Sequence, residues 1–434
     1  MFHITPSLMD SHHPVIIVGG GQAGLATSYC LTQRGIDHVV FEKDRIAEAW
    51  RSQRWDTFCL VTPNWQCKLP GFHYTGAYGG DNPNGFMPRE EIVEYVEAYA
   101  EAFDPPVREG VAVESVARGA NGEGYSVSTS IGTFTADQVV IAVGTYHQSN
   151  IPPIADGLPD EIHQLHSSAY QNPESLPEGE VMVVGSGQSG TQIAEDLHWE
   201  GRQVHLCVGN APRAPRRYRG RDVVAWLDDM GYYDQPIYEH PDGLAVRHKT
   251  NHYLSGRGEK GHTIDLRELH LEGMELYGRL DEADGTELSF APNLEENLDD
   301  ADASAADIKR RIDDYIAEND VDAPEEPAYE PPWAPDEELT QLDLSSTDIS
   351  TVLWATGYDY DFSWVDLPVF DETGYPEYHR GVTDESGLYF MGLAWLYTWG
   401  SGRFAGVGRD AEYLAEQIEE VQAEQHSLTV SGTT

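Results

Sequence analysis

"VIIVGGGQAG" (residues 15–24) and "VMVVGSGQSG" (residues 181–190) are written in the same grammar, and their first glycines lie 166 residues apart. Four apolar residues read as a strand buried on both faces, as in a parallel sheet. Gly19-Gly20-Gly21-Gln22-Ala23-Gly24 and Gly185-Ser186-Gly187-Gln188-Ser189-Gly190 each fit G-x-G-x-x-G. In such a turn the first glycine permits the tight bend and the second lets the backbone approach a pyrophosphate. The third lets the following helix sit against the strand. Both turns lead into helical sequence, "QAGLATSYCLTQR" and "TQIAEDLHWE", and each helix is stopped by a glycine, Gly35 and Gly201.

The second strands of the two units end differently. "DHVVFE" closes on Glu42, 23 residues after Gly19, where a carboxylate accepts hydrogen bonds from a ribose hydroxyl. The same count from Gly185 reaches Val208, followed by Gly209 and Asn210. Downstream, "RAPRRYRGR" holds five arginines in nine residues, Arg213, Arg216, Arg217, Arg219 and Arg221. A missing carboxylate beside guanidinium groups is what a ribose 2′-phosphate requires. The first cradle is therefore expected to hold FAD and the second NADPH, with Arg216 and Arg217 on the phosphate. Salt bridges to an acidic surface are the alternative account of the arginines.

The rest of the chain fits around these units. "MPREEIVEYVEAYAEAF" (87–103) reads as an amphipathic helix, "GTFTADQVVIAVG" as a strand returning to the first sheet, and "IPPIADGLP" as a linker. Residues 303–318 suit a helix, and 322–338 are Pro-rich and surface-exposed. "ISTVLWATGYDYDF" and "GLYFMGL" read as later strands, and a helix closes the chain. The pattern predicts an α/β fold with two Rossmann-type dinucleotide-binding domains. An NADPH domain with an acidic insertion (176–343) is inserted into a discontinuous FAD domain (11–175 and 344–425), and 426–434 form a tail.

Composition narrows the classes. The 434 residues carry 27 basic and 74 acidic side chains, a net charge of −47, with only five lysines. Such a surface repels nucleic acid and anionic membranes. It suits a salt-rich cytoplasm, where screening relieves self-repulsion and carboxylates hold water. No apolar run reaches the length of a membrane span, and the start lacks a signal-peptide pattern. Cys30, Cys59, Cys67 and Cys207 form no C-x-x-C, which argues against a disulfide reductase, and no metal-ligand spacing is present.

Taken together, "VGGGQAG", "WRSQRWDTFCLVTP", "QLHSSAYQNP", "VVGSGQSGTQIAEDL", "PRRYRGRD" and "WATGY" resemble the flavin-containing monooxygenase class. The likeness is to flavoproteins linked to cation efflux, related to the plant flavin monooxygenases of auxin synthesis. The monooxygenase fingerprint is met at His166 and Tyr170, in a segment that joins the domains, but its Phe and Gly are replaced by Asp160 and Ile162. The family's Ser/Thr-Asn pair near the flavin falls on Val61-Thr62, and Asn64 is out of register. The resemblance implies Trp50 and Trp55 beside the flavin ring, with Lys43 and Gly392 also on the FAD site. It puts Gly357 of "ATGY" at a crossing near NADPH, and points the closing helix's N-terminus at the flavin. It further implies that FAD, reduced by NADPH, adds O₂ as a C4a-hydroperoxyflavin and oxygenates a small nucleophilic or carbonyl substrate. The flavin carries this chemistry, so no catalytic side chain is assigned. The substrate pocket is expected between the domains, lined partly by 223–290. An NADPH oxidase or reductase, and a flavin-bearing regulatory partner of a metal transporter, remain the other readings.

Overall fold

The computed structural model describes residues 12–120 and 122–431, with side chains through residue 425. Ser11, the expected start of the first domain, and residues 432–434 of the expected tail lie outside the described residues. Two sheets organise the chain. The eight-stranded one runs Val365–Asp366, Val113–Arg118, Tyr125–Thr129, Gly132–Ile141, His12–Val18, His38–Phe41, Val107–Arg108, with Leu388–Phe390 also paired to Gly132–Ile141. The long strand Gly132–Ile141 does two jobs: it pairs antiparallel with Tyr125–Thr129 and runs parallel to His12–Val18. The second sheet is wholly parallel, in the order His163–His166, Ile349–Trp354, Glu180–Val184, Val204–Cys207, Glu275–Tyr277.

The strands of the second sheet all fall between residues 163 and 354, between strands of the first. Two of them correct the expected boundaries. His163–His166 lies before 176 and Ile349–Trp354 after 343, yet both belong to the second sheet. The reason is apolar burial: Val352, Leu353 and Trp354 are fully covered, and they find cover beside Glu180–Val184.

The helices follow their patterns. Arg89–Phe103 buries Ile92, Val93, Tyr95, Val96 and Tyr99, the side expected of it. Leu294–Glu318 starts earlier than the expected 303, because Leu294, Leu298, Ala301, Ala305, Ile308 and Ile312 extend one buried stripe. The closing helix, Val407–Ser431, runs through residue 426, so the start of the expected tail is helical. It shares a core with the helix Gln22–Gln33 through Val407, Ala411, Leu414 and Ile418. The Pro-rich stretch is mostly exposed but strapped down: Tyr329 lies under the Arg213 guanidinium at 4.5 Å, and Trp333 packs on His270 at 3.9 Å. Among the described residues, no helix is long and apolar enough to cross a membrane.

Candidate dinucleotide sites

The two cradles are built alike. Gly19 and Gly185 take φ of +106° and +105°, left-handed values that favour glycine. A Cβ on Gly24 would stand 1.9 Å from the Gly19 carbonyl oxygen, and one on Gly190 1.8 Å from that of Gly185. The third glycine is thus compelled by helix-to-strand contact. The middle glycine is different: a Cβ on Gly21 would meet nothing within 4 Å, and one on Gly187 only the Thr250 methyl at 4.0 Å. Both begin their helices without a side-chain cap. The first-turn N–H groups, with the positive end of the helix dipole, therefore face open space, which fits a pyrophosphate. Gln22 donates to the Gly402 carbonyl at 3.3 Å, and Gln188 to that of Leu254 at 2.7 Å, so each cradle is tied to a crossing segment. Ala23 lies in the buried first turn, and Ser189 is half-buried in its counterpart.

Register confirms the comparison of strand ends. Gly19 N–H donates to Phe41 O and Gly185 N–H to Cys207 O, so Glu42 and Val208 hold equivalent places. The Glu42 carboxylate accepts Gly20 N–H at 2.6 Å and Asp44 N–H at 3.0 Å. Each oxygen keeps a lone pair for a ribose hydroxyl. Lys43 beside it is exposed. In the second unit Val208 is buried, and the Ser186 hydroxyl takes over the closure by accepting Gly209 N–H at 3.0 Å. Val208 thus brings no carboxylate to the place that Glu42 holds in the first unit.

The arginine cluster divides. Arg213 pairs with Asp265 and Asp302, Arg219 with Asp313 and Arg221 with Asp229. Arg216 is 1% exposed, donating to the Val61 carbonyl at 2.6 Å and to Asp222 at 2.5 Å. Burial pulls its guanidinium below the usual arginine range, against the opposing charge of Asp222. The expected phosphate contact of Arg216 is thereby corrected: it is a buried strut between the units. Arg217 is exposed, donates to the Gly220 carbonyl and pairs with no carboxylate among the described residues. It is the one of the five left without a carboxylate partner among the described residues.

Around the first cradle, Gly392 has φ of +77°, and a Cβ there would come within 2.6 Å of Ala23 Cβ. Trp50 is half-buried and stacks on Phe404 at 5.8 Å, in the same crossing segment as Gly402. Trp55 departs from expectation: it is 4% exposed and packs in the second unit's core with Tyr170 and Leu176. Val61 packs against the cluster of Tyr218 and Trp226, while Thr62 is half-buried. Asn64 is engaged in structure, accepting Met87 N–H at 2.7 Å and donating to Asn82 O at 3.0 Å. Cys30, Cys59, Cys67 and Cys207 are free thiols, and burial pushes Cys30 up to about 12.

The fingerprint residues are joints. His166 Nε2 donates to the Gly357 carbonyl at 2.9 Å, leaving Nδ1 to accept Ser168 N–H at 3.2 Å, and burial lowers its pKa. Gly357 itself has φ of +84° with space around it. Tyr170 donates to Asp196 at 2.7 Å. Asp196, 1% exposed on the second cradle's helix, also accepts Thr57 at 2.6 Å and Arg257 at 2.9 Å. Sequence reasoning missed Asp196, whose only signal is an acid on the inward stripe of that helix. It also missed Asp410, 1% exposed in the closing helix's first turn; burial pushes its carboxyl up to about 6, opposed by Ser401 and Arg380.

Comparison with known proteins agrees with this geometry. The family model described as pyridine nucleotide-disulphide oxidoreductase matches residues 16–230. An uncharacterized CzcO-like oxidoreductase of Geobacillus kaustophilus is 32% identical over 93% of this chain and 97% of its own. The probable indole-3-pyruvate monooxygenase YUCCA10 of Arabidopsis thaliana is 32% identical over 48% of this chain and 54% of its own. The solved structure of a flavin-containing monooxygenase from Stenotrophomonas maltophilia shares the fold, with TM-score 0.63 at 18% identity, covering 95% of this chain and 99% of that one.

Proposed function

From a chain that belongs to the CzcO-like oxidoreductase family, an enzyme dependent on FAD and NADPH, we propose a monooxygenase that uses O₂ on a small nucleophilic or carbonyl substrate. One observation carries the reading: two cradles of equal geometry end in unlike groups, Glu42 and Val208, and the segments that hold them, at Gly402 and Leu254, are joined where Arg403 donates to Asn251. Bound FAD supplies oxygen activation and NADPH the hydride. The first-turn N–H groups after Gly21 and Gly187 bind the two pyrophosphates, Glu42 the FAD ribose, and Arg217 the 2′-phosphate. Trp50 and Phe404, stacked beside the crossing, help keep water from the reacting face. The YUCCA relative, named as an indole-3-pyruvate monooxygenase, supports a carbonyl substrate.

The test is kinetic. Enzyme reduced anaerobically with NADPH and then mixed with O₂ is expected to show a transient absorbance distinct from oxidised and reduced flavin. Direct return to the oxidised spectrum, with one H₂O₂ per NADPH whatever substrate is added, gives the oxidase reading instead. A specific feature favours that second reading: Thr62 offers no side-chain amide where the resemblance places the family's Asn, and the carbonyl of Val61 before it is already held by Arg216.

A further inference from the structure

Acidic side chains outnumber basic ones 74 to 27, and most arginines find a carboxylate. Arg403 and Arg247 do not: among the described residues no carboxylate oxygen lies within 4.0 Å of either. Arg403 stands where the two cradles meet. Its neighbour Gly402 accepts from Gln22 of the first cradle. Its own Nη2 donates to Asn251 at 3.0 Å, next to Thr250, which lies over Gly187 of the second. Nη1 is held by the Trp399 carbonyl, and the guanidinium rests 3.9 Å over the Trp399 ring. Burial pulls it below the usual arginine range.

Arg247 comes from the helical turn Gly243–His248. Its Nε reaches the Trp395 carbonyl at 3.5 Å, its guanidinium sits 4.6 Å over Tyr378, and Nη2 is buried with no hydrogen-bond partner. Trp395 and Trp399 both pack against the apolar group of Ile237 and Val246, so the two arginines flank one aromatic wall. A buried donor without an acceptor is destabilising, so the place is suited to gaining one. A chain so rich in acids has left both guanidinium groups without a carboxylate, on segments joined through Trp395 and Trp399. That arrangement suits an anion brought by a ligand, because guanidinium binds carboxylate through paired charge-assisted hydrogen bonds.

We propose that Arg403, assisted by Arg247, anchors the carboxylate of a small aromatic or apolar acid, so that the substrate of this enzyme is an organic anion. The identification as substrate rests on the monooxygenase reading; the anion site does not. The probes are (phenylthio)acetate and its neutral isostere (phenylthio)acetamide, titrated into FAD-loaded enzyme at fixed high salt and followed by perturbation of the flavin spectrum and by calorimetry. The acid is expected to bind at least about tenfold more tightly than the amide. Arg403→Met removes that preference, weakening the acid far more than the amide. Arg403→Lys, which keeps charge but loses the fork, restores part of it. Arg247→Met causes a smaller loss. FAD content reports folding of each variant, and Arg403→Lys carries the test if Arg403→Met loses FAD. Equal affinity for the two probes, or no measurable binding of the acid, overturns the proposal. So does a charge preference that survives both methionine variants, or an Arg403→Met defect confined to NADPH. Sulfoxide formation is measured separately: a charge preference without sulfoxide supports the anion site and counts against oxygenation at sulfur.

Discussion

Replacing Arg216 by Met separates a strut from a coenzyme contact. The side chain is 1% exposed and bonded to the Val61 carbonyl and to Asp222. Breaking a buried ion pair by removing one partner costs about 3–5 kcal/mol, because the other charge is left stranded. Asp222 retains Val224 N–H at 2.8 Å and keeps 14% of its side chain exposed, which argues for the lower end. The Val61 carbonyl loses its guanidinium donor, adding about 1 kcal/mol. The expected loss is therefore about 4 kcal/mol, read as a lowered midpoint in denaturant at fixed molar salt with an unchanged slope. The NADPH-to-NADH preference of the surviving folded enzyme should not move. Arg217→Met should do the reverse, with stability within about 0.5 kcal/mol of wild type, as for an exposed side chain. If Arg216→Met unfolds like wild type while its Km for NADPH rises, the guanidinium is open to the phosphate and the burial argument fails.

Arg217→Ala is expected to erase most of the preference for NADPH over NADH at subsaturating coenzyme; unchanged selectivity would remove Arg217 from the phosphate. Gly24→Ala drives a Cβ to 1.9 Å from the Gly19 carbonyl, so protein purified at matched salt should lack yellow colour, and a full FAD complement would refute the cradle geometry. Glu42→Ala removes the acceptor of Gly20 N–H and should weaken FAD retention by about 1.5–3 kcal/mol, checked by equilibrium dialysis. Asp410 has a folded-state pKa raised from its ordinary value to about 6, so its contribution is fully present below the unfolded value and is lost as pH climbs to about 6. Wild type should lose up to about 3 kcal/mol relative to Asp410→Asn between about pH 4 and 7; parallel pH profiles would refute the assignment.

The cradles were legible because their chemistry is local. A strand, three glycines at fixed spacing and a helix are contiguous, and counting 23 residues onward found Glu42 and Val208 at equivalent places. Strand membership was not legible to the same degree. Ile349–Trp354 lies beside Glu180–Val184 across nearly 170 residues, and a buried apolar strand carries no mark of which sheet receives it. Trp55 misled for a similar reason, since an aromatic residue between the units can face either core. Arg216 lost its expected role through a short hairpin, in which Arg217–Tyr218 pairs with Arg221–Asp222 and brings Asp222 within reach. The "RYRGRD" pattern contains that hairpin. Arg403 carried a faint signal, a lone guanidinium in "WGSGRFAG" amid an acidic chain.

Asp196 has a consequence for motion. Its three donors arrive from separate stretches of chain: Thr57 from the first unit's loop, Tyr170 from the connector and Arg257 from the second unit. Hydrogen bonds to a charged group contribute about 1.5–3 kcal/mol each. Swinging the second unit away breaks the Thr57 bond and draws Trp55 out of the second unit's core, while Tyr170 and Arg257 travel with Asp196. Both losses oppose the opening. The pair of units is therefore latched at one point, the loop carrying Trp55 and Thr57, and releasing that loop is what any hinge motion between them requires.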